Sequence, residues 1–173
     1  MTRTRTAVLL TALAAIAAAL TVAVNEQADR LDPAPRAHTA ACRALARTYP
    51  DRIGDLKRTA TAPGAASYGH GNITLRCGLP PLLPTEETCV TTEGVDWVIK
   101  KGFGANQEKT IVTYGRTPAA EAVISADTPT DVALVEIAHA VKALPANGRK
   151  CISASDVPSP GAVPEESIPA HGP

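Results

Sequence analysis

The stretch Asn72-Ile73-Thr74-Leu75-Arg76-Cys77 sets apolar Ile73, Leu75 and Cys77 against polar Thr74 and Arg76, the period of a strand that buries one face. The same alternation returns in Val95, Trp97 and Ile99, in Ile111 and Thr113 against Val112 and Tyr114, and in Ala120, Ala122 and Ile124 against Glu121, Val123 and Ser125. No helical pattern separates these runs. The segments between the later ones carry turn residues, Gly102 and Gly104 in one and Arg116-Thr117-Pro118 in the next. Strands linked in this way pair as antiparallel hairpins.

Working outward, Ala41, Cys42, Leu45 and Tyr49 recur at helical spacing between His38 and Tyr49, and Pro50 closes the segment. On the other side, Thr128-Pro129-Thr130-Asp131 offers a capping Thr, a Pro at the first helical position and an acid in the first turn. Leu134, Ile137, Ala138, Val141 and Leu144 then form one apolar stripe, ended by Pro145 and Gly148. A sheet with one apolar face needs a cover, and two amphipathic helices supply it. The expected fold class is α+β, an antiparallel meander sheet of about four strands with an N-terminal and a C-terminal helix packed on one face and two disulfides.

Cys42, Cys77, Cys89 and Cys151 are an even set, and four cysteines allow three pairings. The preferred pairing is Cys77 with Cys89, clipping the Pro-rich link from Gly78 to Thr88, and Cys42 with Cys151, joining the ends of the domain. No two cysteines stand at the short spacing of a zinc site, so neither a metal nor a cofactor is expected.

The compartment is read from the N-terminus. Arg3 and Arg5 precede an uncharged run over residues 7–24, and the first acids are Glu26 and Asp29. Residues 1–24 are therefore a signal anchor or a cleaved signal peptide, with the anchor preferred although the run is slightly short and rich in Ala. Either exports the remainder of the chain: a linker over 25–37 containing Pro33 and Pro35, a globular domain over 38–152, and a Pro-rich disordered tail over 153–173. Cys42 comes after Ala40 and Ala41 as in a lipobox, but it lies beyond charged Asp29, Arg30 and Asp32.

The 17 basic and 17 acidic residues cancel, which leaves no general field for nucleic acid or an anionic membrane surface. Aromatics are 3% of the chain, too few for stacking platforms. Trp97 is the only Trp and is expected in the core, although beside Asp96 it would also suit a sugar or peptide site. Arg76 and Arg116, with Asp96, form a candidate anion or partner site on the non-core face; the competing reading pairs the arginines with Asp96 or Glu121. His38, His70, His139 and His171 are scattered and no Ser or Cys occupies a nucleophile elbow, so no catalytic residue is assigned.

The elements Leu75-Arg76-Cys77-Gly78, Gly94-Val95-Asp96-Trp97-Val98, Thr113-Tyr114-Gly115-Arg116 and Arg149-Lys150-Cys151 occur in that order, after a leading Cys42 segment and Tyr49-Pro50-Asp51-Arg52. Together they resemble an actinobacterial family of unknown function, DUF3515, from about Cys42 to Cys151, with Tyr68-Gly69 standing where the family is associated with Trp-Gly. The resemblance implies a membrane-associated exported protein and supplies no catalytic residue. The resulting expectation is a single-pass membrane protein with its domain outside, or a secreted one if the N-terminus is cleaved. It would be a non-enzymatic binding or accessory protein of the bacterial cell envelope. Its expected partners are the membrane, through the N-terminal helix, and an envelope protein or cell-wall component. The alternative is an envelope hydrolase or transferase acting on a peptide or sugar polymer.

Overall fold

The alternation at residues 72–77 becomes strand β4 (Ile73–Leu79), with Ile73, Leu75 and Cys77 buried and Thr74 and Arg76 half-buried. The structure is a computed structural model that describes residues 14–15, 18–21, 30–100 and 107–152. Around β4 stand β1 (Arg52–Ile53), β2 (Leu56–Ala62), β3 (Ala65–Tyr68), β5 (Cys89–Thr92), β6 (Val95–Lys100), β7 (Lys109–Tyr114) and β8 (Ala119–Ile124). They form one antiparallel sheet of eight strands in the order β1-β2-β3-β4-β8-β7-β6-β5.

The α+β class holds, but the sheet has eight strands where about four were expected, and it is two meanders rather than one. β4 pairs with β8, from Ile73 opposite Ile124 to Leu79 opposite Ala119. The chain leaving β4 therefore crosses the width of four strands before it enters β5 at the far edge. The prolines of this connection, Pro80, Pro81 and Pro84, keep it out of the ladder.

Helix α1 (Ala40–Thr48) buries Cys42 and Leu45, and the Thr39 hydroxyl accepts from the Cys42 amide at 3.3 Å to cap it. Helix α2 (Thr130–Val141) buries the expected stripe, Leu134, Ile137, Ala138, Val141 and the following Leu144. Its first turn differs from the expectation. Pro129 is the N-cap, no side chain caps the helix, and the Thr128 hydroxyl bonds instead with that of Ser125 at 2.8 Å. Both helices lie on the face of Ile73, Leu75, Trp97, Ile111, Ala122 and Ile124, and Trp97 is fully buried there as expected.

The other face is covered by irregular chain. Val98 and Val112, which pair across β6 and β7 on that face, are also buried. Of the linker expected over 25–37, residues 30–37 are described, and they lie against the sheet: Ala34 and Ala37 are buried, and the Arg36 amide donates to the Gly78 carbonyl at 3.0 Å. After α2 the chain rounds the β7–β8 turn, where the Asn147 amide reaches the Gly115 carbonyl at 2.8 Å. The Arg149 guanidinium then donates to the Leu82 carbonyl at 3.0 Å, and the Cys151 amide donates to Asp96 at 2.9 Å.

Two glycines permit these close approaches. A Cβ on Gly78 would stand 2.4 Å from the Ala37 amide nitrogen, and one on Gly115 would stand 2.0 Å from the Arg149 carbonyl oxygen; both have positive φ.

All four cysteines are bonded, but as Cys42–Cys77 and Cys89–Cys151. The expected pairing of Cys77 with Cys89 fails on geometry. Four strand spacings of about 4.8 Å separate β4 from β5, and a bridge tolerates a Cα separation of only about 7 Å. The two residues also face opposite sides of the sheet, Cys77 the helices and Cys89, opposite Val98, the irregular chain. Cys42–Cys77 is sealed in the core, whereas Cys89 and Cys151 are each partly exposed.

The described residues 14–15 and 18–21 are helical, and no described helix is long and apolar enough to cross a membrane. Most of the expected signal anchor, residues 25–29 of the linker, the loop over 101–106 and the tail over 153–173 lie outside the described residues.

Candidate functional site

The three residues proposed from sequence for an anion or partner site each find a partner within the chain. Arg76 donates from Nε and Nη2 to Glu121 Oε1, at 3.0 and 2.5 Å, with Glu121 only 11% exposed. Arg116 donates to the Leu144 and Lys142 carbonyls at 2.8 and 3.3 Å, satisfying acceptors left free at the end of α2. Asp96 accepts from the Thr91 hydroxyl at 2.6 Å and from the Cys151 amide. Arg76 and Asp96 share a face but stand three strand spacings apart, about 14 Å. The arrangement therefore does not bring the three to one point.

The motifs that carry the family resemblance have structural work of the same kind. The Tyr49 hydroxyl donates to the Gly64 carbonyl at 3.1 Å, and the Tyr68 hydroxyl donates to the Pro50 carbonyl at 2.9 Å. Asp51 pairs with Arg58. Burial pushes both phenols up, that of Tyr49 well above the ordinary tyrosine range and that of Tyr68 to about 12, with nearby Arg58 opposing the shift at Tyr68. These tyrosines join α1 and the following turn to the edge of the sheet.

Two clefts lie at the end of the sheet away from Gly78 and Gly115, and a further one of about 460 Å³ lies on the irregular face between Val98, Tyr114 and Arg149. A cleft of about 610 Å³ is lined by Arg30, Asp32, His70, Asn72, Arg76 and Asp127, among others. A second, of about 450 Å³, lies between the β1–β2 turn and the start of α2, where Leu56 and Val132 give it an apolar wall. The two share Asn72, Ser125 and Asp127. Donors and acceptors of both signs line the larger cleft, which suits a polar ligand or a peptide backbone held by several hydrogen bonds.

Sequence reasoning passed over His70 and Asp127, because a histidine between Gly69 and Gly71 and an acid before a helix read as turn residues. Their proximity arises only when β4 pairs with β8. Among the described residues no group of three or more His, Cys, Asp or Glu gathers as a metal site would require.

A family model described as a protein of unknown function, DUF3515, matches residues 4–148. The match reaches further toward the N-terminus than the resemblance drawn from Cys42 onward, taking in the apolar segment, and it ends short of Cys151. No curated protein and no solved structure matches the chain.

Proposed function

The chain belongs to the DUF3515 family, whose function is unknown, and on that premise we propose that it is an exported domain of the bacterial cell envelope. It is tethered by its N-terminus and binds a partner through the clefts at the open end of its sheet. The observation that carries the export reading is the disulfide pair. Every cysteine is bonded and Cys42–Cys77 lies wholly inside the core, an arrangement that forms and persists in an oxidising compartment. Arg3 and Arg5 before the apolar run add the expected orientation, and the family match includes that run.

Binding is preferred to catalysis because Arg76, Arg116 and Asp96 are engaged within the fold, leaving the rest of the cleft lining as contact surface. One observation favours the other reading, an envelope hydrolase or transferase: Asp32, His70 and Asp127 line the same cleft. Absence of cell-wall peptide or glycan turnover by the full wild-type chain would dismiss it, whereas turnover lost in His70→Ala and Asp127→Asn variants would favour it.

The export reading is tested by fusing alkaline phosphatase, which requires disulfides, or a green fluorescent protein to the C-terminus of the full chain. Active phosphatase with a dark fluorescent fusion is expected. Inactive phosphatase with a bright fluorescent fusion would overturn the proposal.

A further inference from the structure

The overall balance of 17 basic and 17 acidic residues conceals a division along the chain. Residues 30–76 contain eight Lys and Arg against three Asp, a surplus of five positive charges, whereas residues 77–152 carry seven basic against nine acidic residues. Two of the three acids in the basic part are engaged locally, Asp51 with Arg58 and Asp55 with Arg52.

Helix α1 lies inside this basic part and turns one face outward. Cys42 and Leu45 are buried, while Ala40, Arg43, Ala44 and Arg47 are exposed at the spacing of a single helical face. Arg36 and His38, which lead into the helix, are exposed as well. Among the described residues neither Arg43 nor Arg47 has an ion-pair partner; the Arg43 guanidinium donates to the His38 carbonyl, which leaves its charge unneutralised.

We propose that the outward face of α1, centred on Arg43 and Arg47, docks on an anionic phospholipid surface and sets the orientation of the domain on its membrane. The inference rests on the tethered reading proposed for the N-terminus. Five residues lie between the end of the apolar run at Val24 and Arg30, where the packed chain begins, a reach of at most about 20 Å. That span holds the domain near headgroups. Bare lysines or arginines do little beyond a Debye length of about 8 Å, so the tether supplies proximity and the charges choose the face. Each basic side chain close to an anionic surface multiplies occupancy roughly fivefold.

The test uses the full chain reconstituted in nanodiscs of phosphatidylcholine, with or without phosphatidylglycerol, and a gadolinium chelate on a headgroup. Selective broadening of the Ala40–Thr48 amides in anionic discs is expected, weakened by salt. It should fall about 25-fold in occupancy in Arg43→Gln/Arg47→Gln, a variant whose unchanged core resonances report an intact fold. Equal broadening in both discs, or none in discs that carry the protein, would overturn the docking face and leave the tether standing. Shifts in α1 caused only by an acidic peptide would assign the face to a protein partner and also overturn it. Failure of the chain to co-elute with either disc would refute the tether itself.

Discussion

One face of the sheet is covered by helices and the other by irregular chain, and the two faces hold their covers by different means. On the helical face, Ile137 and Leu45 pack against Ile73, Trp97 and Ile124, and Cys42–Cys77 adds a bond already sealed from solvent. On the opposite face, residues 30–37 are held by a backbone hydrogen bond to Gly78 and Arg149–Cys151 by hydrogen bonds to the Leu82 carbonyl and the Asp96 carboxylate, with close approach at Gly78 and Gly115 and the partly exposed Cys89–Cys151 bond. Removal of apolar contact should therefore be felt most on the first face, and removal of a tie most on the second. The difference teaches that the helical side determines whether the domain folds, while the irregular side determines whether its terminal segments stay in place.

The largest expected effect is on the helical face. Ile137 is 1% exposed, and Ile137→Asp would bury a charge with no partner; loss of the cooperative thermal transition is expected, by circular dichroism. A normal transition would contradict the placement of α2.

The two disulfides separate the faces more finely. The chain-entropy term is about 4 kcal/mol for each and slightly favours the longer Cys89–Cys151 loop, of 62 residues against 35. Burial reverses that order, because Cys42→Ala/Cys77→Ala also leaves a cavity in a packed core. Chemical denaturation should show the greater loss in that variant, whereas Cys89→Ala/Cys151→Ala should keep the core and loosen the C-terminal segment. The opposite order would mean that loop entropy outweighs packing here.

Gly115→Ala targets the irregular face alone. The new methyl would meet the Arg149 carbonyl, at a cost of about 1–3 kcal/mol. Thiol reagents should then reduce Cys89–Cys151 faster while Cys42–Cys77 keeps its resistance; equal acceleration of both would erase the distinction between the faces.

The legible parts of this fold are those where apolar residues of useful size recur with a clean period. The α2 stripe from Leu134 to Leu144 and the alternation in β4, β6, β7 and β8 are of this kind. β3, Ala65-Ala66-Ser67-Tyr68, is buried on both faces and shows no alternation. β2 is built largely from Ala and Thr, and β1 and β5 are only two and four residues long. The disulfide pairing was illegible for a related reason. Cys77 and Cys89 are neighbours in sequence, but the crossing from β4 to the far edge separates them, and nothing local in Gly78 to Thr88 announces its destination. At the candidate site the Arg76–Glu121 pair is the competing reading of the sequence, whereas the partners of Arg116 and Asp96, the Leu144 carbonyl and the Cys151 amide, are supplied by topology. Whole-chain charge balance concealed the basic surplus around α1.

The smallest expected effect is at alkaline pH. The folded protein holds the phenols of Tyr49 and Tyr68 neutral beyond the ordinary tyrosine value of 10.0. Their contribution is present in full below that value and is lost as pH rises through the folded values. Denaturant midpoints should be flat through neutrality and fall above about pH 10, with a shallower fall in Tyr68→Phe. An identical fall in that variant would show that Tyr68 does not contribute to it.

The most direct test of an exported domain with two differently covered faces is non-reducing peptide mapping by mass spectrometry on protein extracted from its native membranes. The account predicts two linked peptide pairs, Cys42 with Cys77 and Cys89 with Cys151. A Cys77–Cys89 linkage would contradict the strand order, and four free thiols would contradict export.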